Sequence, residues 1–312
     1  MPALLRSLLA LLATLWLISM LTFAATSLRS PQEVAQSALG RGVAQEQIDA
    51  FVEQQGLEGS LPRRYGRWLG DFVTGDWGTS PITQLPVAQE LGPRLRNSLI
   101  LAVVALLLAL PPSIAIGLAV ARRRGGRTDV AVTTGSVVLA ALPEFVVGVV
   151  LMWLLAVQAG LLPVDSSGLA FGGLGEQVEA FALPALTLAL VLAPQFVRMV
   201  RAAAIDVIAQ PYVRAAVLRG LPARTVLWRH VLPNTAGQLV NVVAVNLVWL
   251  IGGVIVVENV FAFQGIGQRL VTAVSQGDVP TVQALAMVTG VLFLAISVAA
   301  DAIVARVEAG TR

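Results

Sequence analysis

The sequence predicts an all-α polytopic membrane protein with six transmembrane helices and a helical extracytoplasmic segment after the first of them. Of its 312 residues, 56% are hydrophobic and only 12% are charged, which is about half the charged content of an average soluble domain. The apolar residues gather in runs of about 20 or more, long enough to cross a bilayer. These spans are expected to be helices, because an open strand in hydrocarbon leaves its backbone groups without hydrogen bonds.

Six runs without formal charge, apart from Glu144 in the third, supply the predicted spans. They cover residues 7–28, 97–121, 130–163, 180–197, 235–257 and 279–300. Kinks are expected at prolines within or near them, namely Pro111, Pro112, Pro143 and Pro194. The first run is interpreted as a retained helix, since its apolar core is longer than that of a signal peptide. The alternative is cleavage near Ala24 and Ala25.

The distribution of arginine predicts the orientation, because every basic residue of this chain is an arginine and positive charge favours the inner side. The two short outer loops hold only Arg269, whereas the segment 29–96 is too long for the rule to apply. Both termini are therefore predicted to be cytoplasmic, in a plasma membrane. The arginines placed inside are Arg6, Arg122, Arg123, Arg124, Arg127, six between Arg198 and Arg229, Arg306 and Arg312.

The spans divide the chain into consecutive parts. Residues 1–28 form the first helix, 29–96 the extracytoplasmic segment, 97–306 the core with helices two to six, and 307–312 a cytoplasmic tail. The core includes the arginine-rich loop 198–234.

The extracytoplasmic segment is predicted to be helical over residues 31–55, with Gly40 and Gly42 as the place for a break, and again over residues 61–73. In the second helix Tyr65, Trp68, Leu69 and Phe72 share one face. Arg63, Arg64 and Arg67 beside this face suit the headgroup boundary of a membrane. The segment is either a packed cap over the bundle or a docking surface for an outside partner, and the two roles are compatible.

Composition and motifs exclude most catalytic chemistry. The chain has no cysteine and a single histidine, His230, so no metal site is expected. Without lysine it cannot form a P-loop. An intramembrane aspartyl enzyme needs two carboxylates at the same membrane depth. The only candidates are Glu144 and Asp301, and their expected depths differ. We therefore predict no catalytic residue, no cofactor in this chain and no nucleic-acid partner.

The loop 198–234 carries the most specific pattern in the sequence. A short helix is expected from about Tyr212 to Gly220, a residue that ends helices. A second is expected to begin near Pro222 and to stop at Pro233. Two short helices joined at Gly220 form a compact knob on the inner surface. The alternative is an amphipathic loop whose arginines lie on anionic headgroups.

This loop resembles the coupling loop of ABC importer permeases, through Arg214-Ala215-Ala216, Gly220 and Leu232-Pro233. More narrowly, the loop resembles the dipeptide/oligopeptide/nickel permease family at residues 212–216, 220–222 and 229–232. In that family two permeases work together, and the resemblance is to the first of the two. Further matches are residues 75–80, 142–148, 183–188, 257–261, 265–268 and Asp301. The chain departs from that family at Glu144, where Ser or Thr is frequent, and in its last residues, which lack the Asp-Pro-Arg-x-Arg ending.

The resemblance implies a type I ABC importer permease fold and defined partners. These are a second homologous permease, one or two cytoplasmic ABC ATPase subunits that bind ATP and Mg, an extracytoplasmic solute-binding protein, and membrane lipid. The implied ATPase-coupling residues are Tyr212, Arg214, Ala215, Ala216, Gly220, Leu221, Arg224, Arg229 and Pro233. The implied binding-protein docking residues are Asp76, Trp77, Glu258, Phe261, Gly265 and Gly267.

Polar residues inside the spans are candidates for the translocation pathway, because a carboxylate at membrane depth is costly and usually functional. They are Glu144, Asn241, Asn246 and Asp301. Glu144 either lines the pathway or makes a buried interhelical hydrogen bond. The two asparagines also suit interhelical hydrogen bonds, and Asp301 a pair with Arg306.

Short peptides are the preferred substrate, since the chain offers no His or Cys cluster for a bare metal ion. Nickel chelates, glutathione and opine-like solutes are the alternative substrates. Outside the ABC class the alternative is a secondary transporter, which should show a repeat of broken helices.

Overall fold

The protein is described by a computed structural model over residues 2–27, 31–40, 42–54, 60–166 and 173–310, and every regular element in those ranges is a helix. The prediction of an all-α chain is thereby confirmed. Π-helical stretches at Met152–Gln158 and Val226–Val231 follow α7 and α10. The helices are α1 (Pro2–Ser27), α2 (Pro31–Leu39), α3 (Gln45–Gln54), α4 (Leu61–Thr74), α5 (Val87–Arg122), α6 (Arg127–Ala141), α7 (Glu144–Leu151), α8 (Leu174–Ile208), α9 (Pro211–Leu218), α10 (Ala223–Thr225), α11 (Leu232–Val260), α12 (Ile266–Gln276) and α13 (Val279–Gly310).

Three helices of the described chain are long and apolar enough to cross a membrane by themselves, namely α5, α8 and most of α13. They coincide with the second, fourth and sixth predicted spans. Up to five spans result if two bent helix pairs, in the third and fifth predicted regions, each count as one. The first predicted span corresponds to α1, whose apolar part Leu11–Ser27 is shorter, and its end at Leu28 lies outside the described residues. A count of six remains a prediction.

The third predicted span is sharply broken. α6 and the helix that begins at Glu144 are inclined by 100°, with Leu142 extended before Pro143. A proline disfavours helical geometry at the residue before it, which explains the position of the break. The other prolines expected to cause kinks lie within uninterrupted helices, Pro111 and Pro112 in α5 and Pro194 in α8.

One compact unit consists of residues 1–97 and 265–295. Here α1 contacts α4 through Tyr65 and the first half of α13 through Gln283, which donates a 2.8 Å hydrogen bond to Thr26. The predicted break in the segment after α1 is confirmed, since α2 and α3 are separated at Gly40 and Gly42, both with positive φ.

The second compact unit consists of residues 98–264 and 296–312, and its core lies between α5, α8 and α11. The side chains at its centre include Leu188, Phe196 and Leu250, all fully buried. α5 and α8 cross at very short range, because a Cβ on Gly117 would lie 2.7 Å from Val200 Cβ. No side chain larger than hydrogen fits at Gly117 without moving one of the two helices.

Candidate functional site

Residues 211–231, which we call the knob, form a compact helical projection between α8 and α11. Pro211 occupies the first turn of α9, where its missing N–H costs no hydrogen bond. α9 ends at Leu218, and Gly220 adopts φ +79° before α10 begins. The predicted short helix with a glycine elbow is therefore confirmed.

The predicted stop at Pro233 is wrong. After α10 the chain continues as the π-helical stretch Val226–Val231 and enters α11 at Leu232 without a break. Pro233 thus lies in the first turn of α11, a position that needs no backbone donor. The knob is consequently continuous with a long helix rather than separated from it by a loop.

The inner face of the knob packs on the rest of its unit. Val213, Ala216 and Val231 are buried at 1%, 6% and 0% exposure, in a cluster with Leu118 and Val200. Ala216, one of the implied coupling residues, faces this cluster and is almost fully covered by it. Its small side chain serves the packing of the knob.

The outer face of the knob combines exposed apolar and cationic side chains. Leu218 is 87% exposed, and Tyr212 and Trp228 are each nearly half exposed. Within the described chain, no ion pair involves the exposed arginines around them, Arg214, Arg219, Arg224 and Arg229. Aromatic residues and arginine are enriched where proteins bind one another, so this face has the composition of a protein interface.

A cavity of about 770 Å³ opens between the knob and the end of α8. Its wall is largely apolar, and Ile205 and Leu227 belong to it. Arg122, Arg124 and Arg214 contribute the positive charge. Leu221 also lines it. Such a cavity suits an apolar side chain with a carboxylate close by.

An ion pair joins α6 to α8 two turns before the knob. Arg201 Nε and Nη2 donate to the two oxygens of Asp129 at 2.5 and 2.7 Å. Asp129 is 3% exposed and also accepts a hydrogen bond from the Gly125 amide. No local pattern indicates this pairing, because the partners are 72 residues apart.

A second set of charges, which we call the Arg269 cluster, comprises Ser80, Glu90, Arg269 and Asp278. Arg269 donates to Glu90 Oε1 at 2.6 Å and to Asp278 Oδ2 at 2.8 Å, and Ser80 Oγ donates to the same Asp278 oxygen at 2.6 Å. Arg269, Asp278 and Ser80 are all buried. The cluster joins the turn after α4 to the first turns of α5, to α12 and to the start of α13. Sequence reasoning missed the cluster, although it singled out Arg269 as the arginine of the short outer loops and Ser80 within the motif 75–80.

Two of the four pathway candidates, Glu144 and Asn246, interact with the helix to which they belong. Glu144 is half-buried at the first position of α7, where a helix dipole favours a carboxylate, and the described chain gives it no interhelical hydrogen bond. Asn246 is buried but donates to the Val242 carbonyl of its own helix at 2.8 Å, so the interhelical bond suggested for it is not found.

Of the other two candidates, Asn241 has a side chain that lies outside the described residues. Asp301 is exposed and makes no ion pair with Arg306, contrary to expectation. Among the described residues, an apolar cavity of about 330 Å³ between α5, α8, α11 and α13 is lined by neither Glu144, Asn246 nor Asp301.

The six docking candidates divide by burial. Asp76 is exposed, and Trp77, half-buried, stacks on Phe72 with ring centroids 5.5 Å apart. Glu258 is fully buried and accepts a 2.5 Å hydrogen bond from Ser98. Phe261, Gly265 and Gly267 are buried as well. Asp76 and Trp77 are therefore accessible to a solute-binding protein. The other four candidates are buried and pack within this chain.

Comparisons with known proteins point to one family. Residues 113–312 match the family described as binding-protein-dependent transport system inner membrane component. The chain is 31% identical, over 85% of both proteins, to the oligopeptide transport system permease protein AppB of Bacillus subtilis. It is 30% identical to the glutathione transport system permease protein GsiC of Salmonella paratyphi A, over 99% of this chain and 98% of that one. It is also 28% identical, over 95% of both, to the probable peptide ABC transporter permease protein y4tP of Sinorhizobium fredii.

Proposed function

Because the chain belongs to the family of binding-protein-dependent transport system inner membrane components, we propose that it forms half of the translocation pathway of an ATP-driven importer of short peptides. The observation that carries the mechanism is the outer face of the knob. Its exposed Leu218 and Trp228, surrounded by arginines, form a surface that a cytoplasmic ATPase subunit covers.

The knob transmits the movement of the ATPase into the membrane. ATP and Mg are bound by the partner, and this chain supplies only a rigid receiver. Because the π-helical stretch runs directly into α11 and α9 follows α8 after two residues, a displacement of the knob moves both helices as bodies. Asp129–Arg201 carries the same displacement to α6.

The proposed arrangement has six spans with both termini and the knob inside. A second, homologous permease completes the pathway, and a solute-binding protein delivers the substrate at the outer end, where Asp76 and Trp77 are accessible. Glu144, at the break between α6 and α7, is our candidate for a pathway carboxylate. It has the charge to attract the terminal ammonium of a peptide.

Short peptides are the substrate class that the related permeases favour. The names of the three relatives mention peptide, oligopeptide and glutathione, and glutathione is itself a small peptide. A free α-amino group and amide bonds are what these solutes share. A nickel chelate or an opine lacks this support.

The coupling role is tested by comparing two leucines that are about equally exposed. Leu218 lies at the end of α9 in the knob, and Leu174 is the first residue of α8, at the end remote from the knob. Leu218 is 87% exposed and Leu174 is 84% exposed, so either Leu→Gln change leaves the packing intact. We expect Leu218→Gln to reduce copurification of the ATPase subunit and uptake by at least tenfold, because an exposed anchor is lost. Leu174→Gln should behave as wild type. Equal copurification by both variants contradicts the assignment.

The same two positions test the orientation, because the chain has no cysteine of its own. A membrane-impermeant maleimide should label Leu174→Cys in intact spheroplasts and Leu218→Cys only after permeabilisation. The reverse pattern inverts the proposed topology.

The substrate class is tested by uptake in a strain that lacks this chain. Complementation should restore accumulation of radiolabelled di- and tripeptides, and excess glutathione should compete if the class extends to it. Restoration of nickel uptake alone contradicts the peptide assignment while leaving the coupling assignment untouched.

A further inference from the structure

Helix α4 is fastened to the last turns of α1 by an aromatic cluster. Tyr65 Oη lies 2.8 Å from Ser19 Oγ, and the Phe23 ring is 5.4 Å from that of Tyr65 and 5.7 Å from that of Trp68. The guanidinium carbon of Arg64 lies 5.9 Å from the centre of the Phe23 ring, within the range of a cation–π contact. The apolar side of α4 therefore has a fixed position along α1.

This position is at the edge of the membrane. α1 has 26 residues, about six more than a hydrocarbon core requires, so a centred α1 extends beyond that core by about 4–5 Å at each end. Ser19 precedes the end of α1 by about 12 Å and so lies inside the hydrocarbon boundary. Because Tyr65 reaches down to Ser19, the backbone of α4 lies at the boundary itself.

The opposite side of α4 carries an uncompensated positive charge. Arg63 and Arg67 are exposed and one helical turn apart, a spacing at which like charges destabilise a helix. Asp71 follows one turn later, also exposed, but no ion pair of α4 is found within the described chain. An anion bound from outside relieves the repulsion between the two arginines.

We propose that α4 lies in the headgroup layer of the bilayer and that Arg63 and Arg67 bind the phosphates of anionic phospholipids. An amphipathic helix with cations on its polar side and aromatic residues below is suited to this layer. Trp16 and Leu21 of α1 are 56% and 61% exposed, and acyl chains of the same lipids cover them. This site is separate from the knob and does not depend on coupling to the ATPase.

The affinity is tested by native mass spectrometry of the full-length chain, purified with its transporter partners, titrated with phosphatidylglycerol or phosphatidylcholine. We expect wild type to prefer phosphatidylglycerol and Arg63→Gln/Arg67→Gln to weaken its retention by roughly 10- to 30-fold. Arg63→Lys/Arg67→Lys keeps the charge and should keep the preference, whereas Asp71→Asn should strengthen it. Unchanged retention by a folded Gln pair overturns the proposal, as does reduced binding of the solute-binding protein with unchanged lipid retention.

The depth of α4 is tested by a spin label on the arginine side. An added Cβ at Gly70 meets no heavy atom within 4 Å, and the chain lacks other cysteines, so Gly70→Cys can be labelled specifically in nanodiscs. Power saturation should find the nitroxide in the headgroup layer, at a depth that moves outward in the Arg63→Gln/Arg67→Gln background. A nitroxide at Ser275→Cys, an exposed position on α12, serves as the aqueous reference. If the label at Gly70→Cys is as accessible to the aqueous nickel reagent as this reference, the proposed depth of α4 is wrong.

Discussion

The Arg269 cluster and the knob both hold arginine near a turn between helices, but they satisfy its charge differently. Arg269 is 3% exposed and meets two carboxylates of this chain within 3 Å. The arginines of the knob are exposed and have no carboxylate partner in the described residues. The ion pairs of Arg269 stabilise the fold of this chain. The arginines of the knob, beside exposed apolar side chains, are available to bind another protein.

This comparison implies that substitutions in the two regions differ in their effect on stability. Substitutions in the Arg269 cluster should unfold the protein, and substitutions on the outer face of the knob should leave it folded but inactive. Four changes, taken from the largest expected loss of stability to the smallest, test this order.

Arg269→Met should cost about 3–5 kcal/mol, because it leaves Asp278 buried without a cation and leaves Glu90 only its longer 3.7 Å ion pair with Arg94. Thermal unfolding of the purified protein in detergent measures the loss. Restoring charge balance with Glu90→Gln and Asp278→Asn in the same chain should recover most of it. A neutral effect of Arg269→Met alone would mean that the cluster is hydrated.

Asp129→Asn should cost about 1–2 kcal/mol, less than the first change, because Arg201 is a quarter exposed and water can replace the lost partner. Transport should fall as well, since α6 is released from α8. Asp206→Asn, an exposed carboxylate on α8, serves as the control in the same unfolding and uptake assays. Similar results for the two variants would remove the special role of Asp129.

Gly220→Ala should cost about 1 kcal/mol, because φ +79° is unfavourable for a side chain although the added Cβ meets no other atom. Gly220→Asn should cost less, since asparagine tolerates this conformation. Uptake per hydrolysed ATP is the sensitive measurement, because a displaced elbow changes the outer face of the knob. Gly175→Ala, with an equally open position in a right-handed helix, should leave coupling unchanged.

Arg219→Gln/Arg224→Gln should change stability by no more than about 0.5 kcal/mol, as exposed substitutions usually do. The same double variant should weaken binding of the ATPase subunit by at least tenfold. Arg123→Gln/Arg127→Gln, also exposed but outside the knob, is the matched control. Loss of stability without loss of ATPase binding would reverse the comparison with Arg269.

Local patterns were sufficient to predict most of the helices from the sequence, although α12 lies in a segment interpreted there as an outer loop. Hydropathy located α5, α8 and α13, and Gly40, Gly42 and Gly220 marked real turns because each adopts a positive φ. The end expected at Pro233 was wrong, since a proline in the first turn of a helix does not stop it. Whether a proline kinks or is absorbed depends on the neighbouring helices, which a local pattern does not contain.

Contacts between distant parts of the chain were beyond the reach of the sequence. Glu90 and Arg269 are 179 residues apart, and no spacing rule connects them. The motif around Glu258 and Phe261 was found, but these two residues are buried, so a recognisable pattern indicated their positions without indicating their exposure. Ala216, one of the coupling residues implied by the resemblance, is likewise buried.

The short-range crossing of Gly117 and Val200 has a mechanical consequence. Since the two backbones are too close to slide past each other, a force on the knob would turn α8 about this crossing point. The arm from Val200 to the knob end at Ile208 is about 12 Å long, and the arm to Leu174 is about 39 Å. Under the proposed coupling, a displacement of the knob would therefore be magnified about threefold at the far end of α8.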